Sequence, residues 1–229
     1  MLGTMRAEPK SLQLEVSPDI RVSALWQQPD DAMACYVLAH GAGAGMSHAF
    51  LEAMAAELAA HRIATLRYQF PYMERRSRRP DSASVCHDTV RAAVATAQTL
   101  DPRLPAFAGG KSFGGRMTSQ AQAAAPLPGV RGLVFLGFPL HPAGKPSSQR
   151  AQHLRQIHIP MLFLQGSRDA LAEPGLLEPV ISGLGRQATL RTVEDADHSY
   201  HVPRSSGTTD GQVRAVLANE IAGWMRTAF

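Results

Sequence analysis

From residue 34 onward, short apolar runs alternate with helix-patterned, often alanine-rich stretches. That alternation restricts the chain to a mostly parallel sheet with helices on both faces. Strands are expected at 34–39, 64–68, 105–108, 130–136, 161–164 and 188–193. Helices are expected at 50–61, 84–99, 113–124, 147–156, 173–184 and 210–228, with Pro126 and Pro128 ending the third. Two further strand-like runs, 12–16 and 20–26, precede this pattern and are separated only by Ser17-Pro18-Asp19. So short a turn predicts an antiparallel hairpin. The total is about eight strands in one domain spanning 1–229, a length that suits a single α/β unit.

A domain of this size buries enough apolar surface to fold without a staple. Cys35 and Cys86 form neither a metal-type cluster nor a disulfide framework, and Cys35 lies in an apolar run. The opening MLGTMRAEPKS has no apolar leader, and no window approaches a membrane span, which predicts a cytoplasmic protein without a membrane partner. The net charge of +4 is partly local, because Arg75, Arg76, Arg78 and Arg79 stand together in ERRSRRP. Such a run is ordinarily a solvated loop, although clustered guanidinium groups could attract an anionic ligand. Without interleaved aromatics it does not predict a nucleic-acid partner.

Chemistry concentrates at Gly110-Lys111-Ser112-Phe113-Gly114, a G-x-S-x-G pentapeptide between an expected strand and an expected helix. A serine on such a turn is held in strained backbone geometry and lifted clear of the sheet. Gly110-Lys111-Ser112 also looks like the end of a phosphate loop. That motif needs glycine five residues before Gly110, where this chain has Pro105, which moreover lacks an amide hydrogen.

A serine nucleophile needs a base and an orienting acid, and on a turn of this kind they follow it in the order acid, then histidine. Asp169 stands just after the strongly apolar run in MLFLQGSRD, and His198 follows the next strand in EDADHSY. Each of the three therefore falls at the carboxyl end of a different strand. Asp195 and Asp197 compete for the acid role and His201 for the base role, but all lie in the histidine's own loop. Asx-type turns are the expected work of the two aspartates.

HGAGAG at 40–45 follows the third strand, where a backbone N–H could join that of Phe113 in an oxyanion hole; Ala42 is the expected donor, with His40 bracing the turn. Met46, Tyr72 and His141 are candidate substrate-binding residues, Phe113 could share the acyl pocket, and packing is the competing role for each. Lys111 could position substrate or lie on the surface. The segments 70–83 and 198–209 are the longest irregular ones, both following strands on the side where such sheets bind ligands. Neither is long enough for a large lid.

The motifs HGAG, RYQFPYME at 67–74, GGKSFGGRM at 109–117 and FPLHPAGKP at 138–146 together resemble the α/β-hydrolase superfamily. More narrowly they are similar to its small lidless branch near the dienelactone hydrolases, which includes a eukaryotic subunit of a chromatin-modifying complex. The resemblance implies the α/β-hydrolase fold and a Ser112–Asp169–His198 triad. Dienelactone hydrolases carry cysteine where this chain has Ser112, so their activity is not implied. The expectation is a serine hydrolase of small esters, thioesters or amides that needs no metal or organic cofactor. An interaction protein on the same scaffold is the alternative, and no oligomeric state is implied.

Overall fold

The computed structural model describes residues 8–228; the opening residues 1–7, expected to carry no leader, and residue 229 lie outside the described residues. Eight strands form one sheet: β1 (Lys10–Ser17), β2 (Ile20–Gln27), β3 (Ala34–Ala39), β4 (Ile63–Tyr68), β5 (Ala106–Lys111), β6 (Val130–Leu136), β7 (Met161–Gly166) and β8 (Ala188–Val193). Their order is β1-β2-β4-β3-β5-β6-β7-β8. The expected hairpin pairs β1 with β2 antiparallel, and β2 also meets β4 antiparallel. All remaining pairs are parallel.

Six α-helices cover the sheet: α1 (Ala49–Ala60), α2 (Pro71–Glu74), α3 (Ala83–Leu100), α4 (Phe113–Ala124), α5 (Pro174–Leu184) and α6 (Asp210–Thr227). Side chains alternate across a strand, so each central strand feeds two cores. In β3, Cys35, Val37 and Ala39 join Val90 of α3, Met117 of α4 and Leu177 of α5 on one face. Ala34, Tyr36 and Leu38 join Leu51 of α1 and Leu217 of α6 on the other. With both faces covered, β3 and β4 are buried at every residue, as parallel central strands require. Among the described residues no insertion forms a lid, and no helix is long and apolar enough to cross a membrane.

Three local expectations are corrected. The fifth strand starts and ends later than 105–108, running through two glycines to Lys111. Glycine reads as a strand breaker in sequence, yet here it is the residue that fits: a Cβ at Gly110 would stand 2.3 Å from the Ala39 carbonyl oxygen of the neighbouring strand. The helix expected at 147–156 is a 3-10 helix, Gln149–Gln156, whose buried anchors Ala151 and Leu154 sit three apart, the spacing that stacks side chains in a 3-10 turn. Finally, 70–83 is not wholly irregular. Pro71 starts the short helix α2, at the first helical position where a missing N–H costs nothing.

Candidate active site

Ser112 occupies the turn between β5 and α4 with φ 50° and ψ −114°, backbone that a residue with a Cβ seldom adopts. Two hydrogen bonds hold it there. Its N–H donates to the Leu136 carbonyl at 3.0 Å, and its own carbonyl accepts the Arg116 N–H at 3.1 Å. Strain of this kind costs on the order of 1–3 kcal/mol and survives only where the surroundings impose it.

Asp169 lies just beyond β7 in a tight turn, its N–H on the Gly166 carbonyl at 3.2 Å. Its side chain is fully buried. Oδ1 accepts the Leu171 N–H at 2.8 Å, while Oδ2 accepts from Gln165 Nε2 and faces His198 Nδ1 at 2.7 Å. A carboxylate accepts only, so Nδ1 carries the proton and Nε2 is left as the acceptor. The Ser112 hydroxyl lies 2.8 Å from that Nε2. Ser112, His198 and Asp169 thus form one hydrogen-bonded chain across the ends of three strands.

The competing residues are held elsewhere in the loop. Asp197 Oδ1 accepts the Ser199 and His201 N–H groups at 2.7 and 2.9 Å, an Asx-type turn that shapes the His198 loop. Asp195 adopts a left-handed φ of 58° and donates its N–H to Ser167 Oγ. His201 pairs with Asp210 at 3.0 Å, and that carboxylate raises its pKa.

A cavity of about 220 Å³ opens over Ser112, with Gly41, Ala42 and Ala44 on one side and His198 and Ser199 on another. Phe113 opens α4, so its N–H has no intrahelical acceptor. The glycine-rich loop passes so near that a Cβ on Gly41 would lie 3.9 Å from the Ser112 Cβ. His40 braces this loop, as expected. Its Nδ1 contacts the Gly41 carbonyl at 2.7 Å and its Nε2 accepts the Phe70 N–H at 3.1 Å. Burial lowers its pKa from 6.5 to about 4, outweighing the Gly41 carbonyl.

Three of the residues expected to contact substrate do not line this cavity. Tyr72 is buried behind the loop, and its phenol oxygen accepts the Gly43 N–H at 3.1 Å. Met46 is tied through its backbone to Gln69 and Arg67 and does not line the cavity. His141 is fully buried against Glu173 and the Pro142 carbonyl, so it packs. The walls that sequence reasoning missed are His48, Phe50, Leu51 and Ser199. Their signal was position: the first turn of α1 follows directly after the loop at a strand's carboxyl end. A second cavity, about 380 Å³, shares Phe50 and Ser199 and reaches Asp210 and Arg214.

Lys111 is partly buried and lines the first cavity, and its ammonium donates to the His198 carbonyl oxygen. In the arginine run, Arg75 pairs with Asp81, whose other oxygen accepts the Tyr72 N–H at 2.6 Å, and the remaining arginines are exposed. Among the described residues no three His, Cys, Asp or Glu side chains converge as a metal site.

Residues 32–226 match the protein family described as alpha/beta hydrolase domain. The fold is similar to that of a dienelactone hydrolase from Anabaena variabilis, with a TM-score of 0.78 at 17% identity over 97% of this chain and 99% of that one. A lidless α/β serine hydrolase from Xanthomonas campestris gives 0.73 at 20% identity, over 96% of each chain. The esterase domain of a Rhodothermus marinus protein gives 0.72 at 14% identity, over 96% and 98%.

Proposed function

Because the chain belongs to the alpha/beta hydrolase domain family, with the hydrolase activity that membership carries, we propose that it cleaves small esters, thioesters or amides through Ser112. The supporting observation is the unbroken contact from Asp169 through His198 to a strained Ser112 at the mouth of a cavity. His198 Nε2 takes the hydroxyl proton as Oγ attacks the acyl carbon. The Phe113 and Ala42 amides receive the oxyanion, a contribution on the order of 10²–10³ in rate per donor. The tetrahedral adduct then expels the alcohol, thiol or amine, which takes the proton from Nε2. Water, deprotonated by His198, releases the acid and restores Ser112. Asp169 holds the Nδ1–H tautomer throughout.

A cavity of about 220 Å³ without a lid favours short acyl groups over long lipid chains. Resemblance to the lidless serine hydrolase from Xanthomonas campestris agrees with this reading. The proposal also places the protein in the cytoplasm, acting on small molecules and not on nucleic acid or membranes. The test is covalent labelling by a fluorophosphonate probe. Folded wild-type protein labels, and Ser112→Ala and His198→Ala do not. A folded wild type that stays unlabelled overturns the hydrolase reading, whereas labelling that persists in Ser112→Ala overturns the choice of nucleophile.

A further inference from the structure

Lys111 precedes the nucleophile, yet no step above uses it. Its side chain runs back beneath the loop that carries His198, so that its ammonium donates to the His198 carbonyl and stands 5.1 Å from the centre of the Tyr200 ring. A Cβ built on Gly137 would lie 2.9 Å from Lys111 Nζ and 3.5 Å from both Cε1 and Nδ1 of His198. Ammonium and imidazole are therefore near neighbours above the end of β6. The loop needs such an anchor. Tyr200 holds a left-handed φ of 63°, pinned by its hydroxyl on the Leu164 carbonyl at 2.7 Å and by its stacking on Phe50.

We infer that Lys111 is the positioning residue for the base: its ammonium fixes the main chain of His198 so that Nε2 stays on Ser112, and the hold weakens when the ammonium loses its proton. The inference rests on the hydrolase reading for its kinetic consequence and on geometry alone for the anchoring. Charge-assisted hydrogen bonds are roughly twice as strong as neutral ones, so a neutral amine at this position holds the carbonyl less firmly.

The groups facing Lys111 are Asp169 beyond β7 and Asp197, His198 and Tyr200 in the loop beyond β8. Burial lowers the lysine from 10.5 to about 8, with Asp169 and Asp197 opposing that shift. The Tyr200 phenol is pushed well above its usual 10, chiefly by burial, and stays neutral in the same range. The amine is therefore mostly charged at pH 7 and loses its proton as pH rises through about 8.

Lys111→Met keeps the length of the stem and removes the charge and the donors. At pH 7 the variant is expected to lose about tenfold in kcat with KM within about threefold, since the anchor acts on the reacting geometry and not on substrate contact. Wild-type kcat should fall on the alkaline side with a midpoint near 8, and the variant should lack that limb. An equal kcat at pH 7, or an alkaline limb retained in Lys111→Met, overturns the inference.

A second readout needs no turnover. The NMR signal of the His198 Cε1 proton should carry an inflection near pH 8 in the wild type that is missing from Lys111→Met. If the inflection is present and fluorophosphonate labelling fails, the hydrolase reading falls and the anchoring stands. If labelling succeeds and the wild-type signal shows no inflection between about pH 7 and 9, the anchoring falls alone. If the methionine variant does not fold, a wild-type kcat that stays flat from about pH 7 to 9 overturns the inference.

Discussion

Asp169→Asn changes one atom type and removes the charge opposite the imidazole. Three donors converge on this carboxylate: Gln165 Nε2 and His198 Nδ1 on Oδ2, and the Leu171 N–H on Oδ1. Gln165 cannot turn its oxygen inward, because Oε1 already accepts the Phe138 N–H at 2.9 Å. An asparagine placing its NH₂ at Oδ2 would meet two donors, and one placing it at Oδ1 would meet only the Leu171 N–H. The second leaves one buried mismatch and keeps the working tautomer. The first also leaves one, at Gln165, once His198 moves its proton to Nε2. Either costs about 1–3 kcal/mol of stability, and the first adds a wrong tautomer to the kinetic loss. What is lost in the reaction is the charge. With imidazolium and carboxylate centres about 4 Å apart at an effective dielectric of about 20, their attraction is about 4 kcal/mol, or roughly 10³ in rate. Hydrolysis of a chromogenic short-chain ester and the rate of fluorophosphonate labelling should both fall by about that factor, with KM little changed. Asp197→Asn is the control, since its remaining oxygen still accepts the Ser199 and His201 N–H groups. A loss below tenfold in Asp169→Asn, or an equal loss in Asp197→Asn, refutes the assignment of Asp169.

Gly114→Ala would place a Cβ 2.6 Å from both the Ala39 Cβ and the His40 carbonyl oxygen, neither of which is a flexible side-chain tip. Overpacking there should cost about 1–3 kcal/mol and lower activity, and an unchanged melting temperature would contradict the close approach. His40 is held neutral with a pKa of about 4, below its ordinary 6.5. The unfolded chain takes up the proton first, so this group leaves stability untouched above about pH 6.5 and lowers it by roughly 3 kcal/mol as pH falls toward 4. Urea unfolding of His40→Gln at pH 7 and 4.5 should show a smaller acid loss than the wild type, and an equal loss would speak against a buried neutral imidazole. For His141→Gln the expectation is a lower melting temperature with KM for short esters within about twofold of the wild type, because His141 is buried away from the cavity. A large rise in KM without loss of stability would return it to the substrate site.

The sheet was legible because covering both of its faces leaves runs such as Ala34–Ala39 and Met161–Gly166 wholly apolar or nearly so, each followed by a helix. The order of strands beyond the hairpin was not, since no local pattern tells β3 that it lies between β4 and β5. Pattern reading also stopped β5 three residues early. The glycines that look like a break are the ones a close neighbouring strand demands, and that neighbour is known only once the sheet is assembled.

The same limit explains which site residues could be foreseen. Ser112, Asp169 and His198 sit at strand ends, and position along the chain reveals a strand end. Depth is a different quantity, because it depends on which elements pack behind a residue. His141 also follows a strand, but Glu173 and Pro142 close over it and its side chain is fully buried. Tyr72 lies in α2 on the correct side of the sheet, yet its phenol oxygen accepts the Gly43 N–H from behind. Lys111 shows the converse. A lysine beside a turn reads as a substrate contact or as surface, and only the folded loop supplies the His198 carbonyl and the Tyr200 ring that draw its ammonium inward. Sequence spacing thus places groups at the rim of the site. Whether a group faces the substrate or supports its neighbours is decided by contacts contributed from two or three other strands.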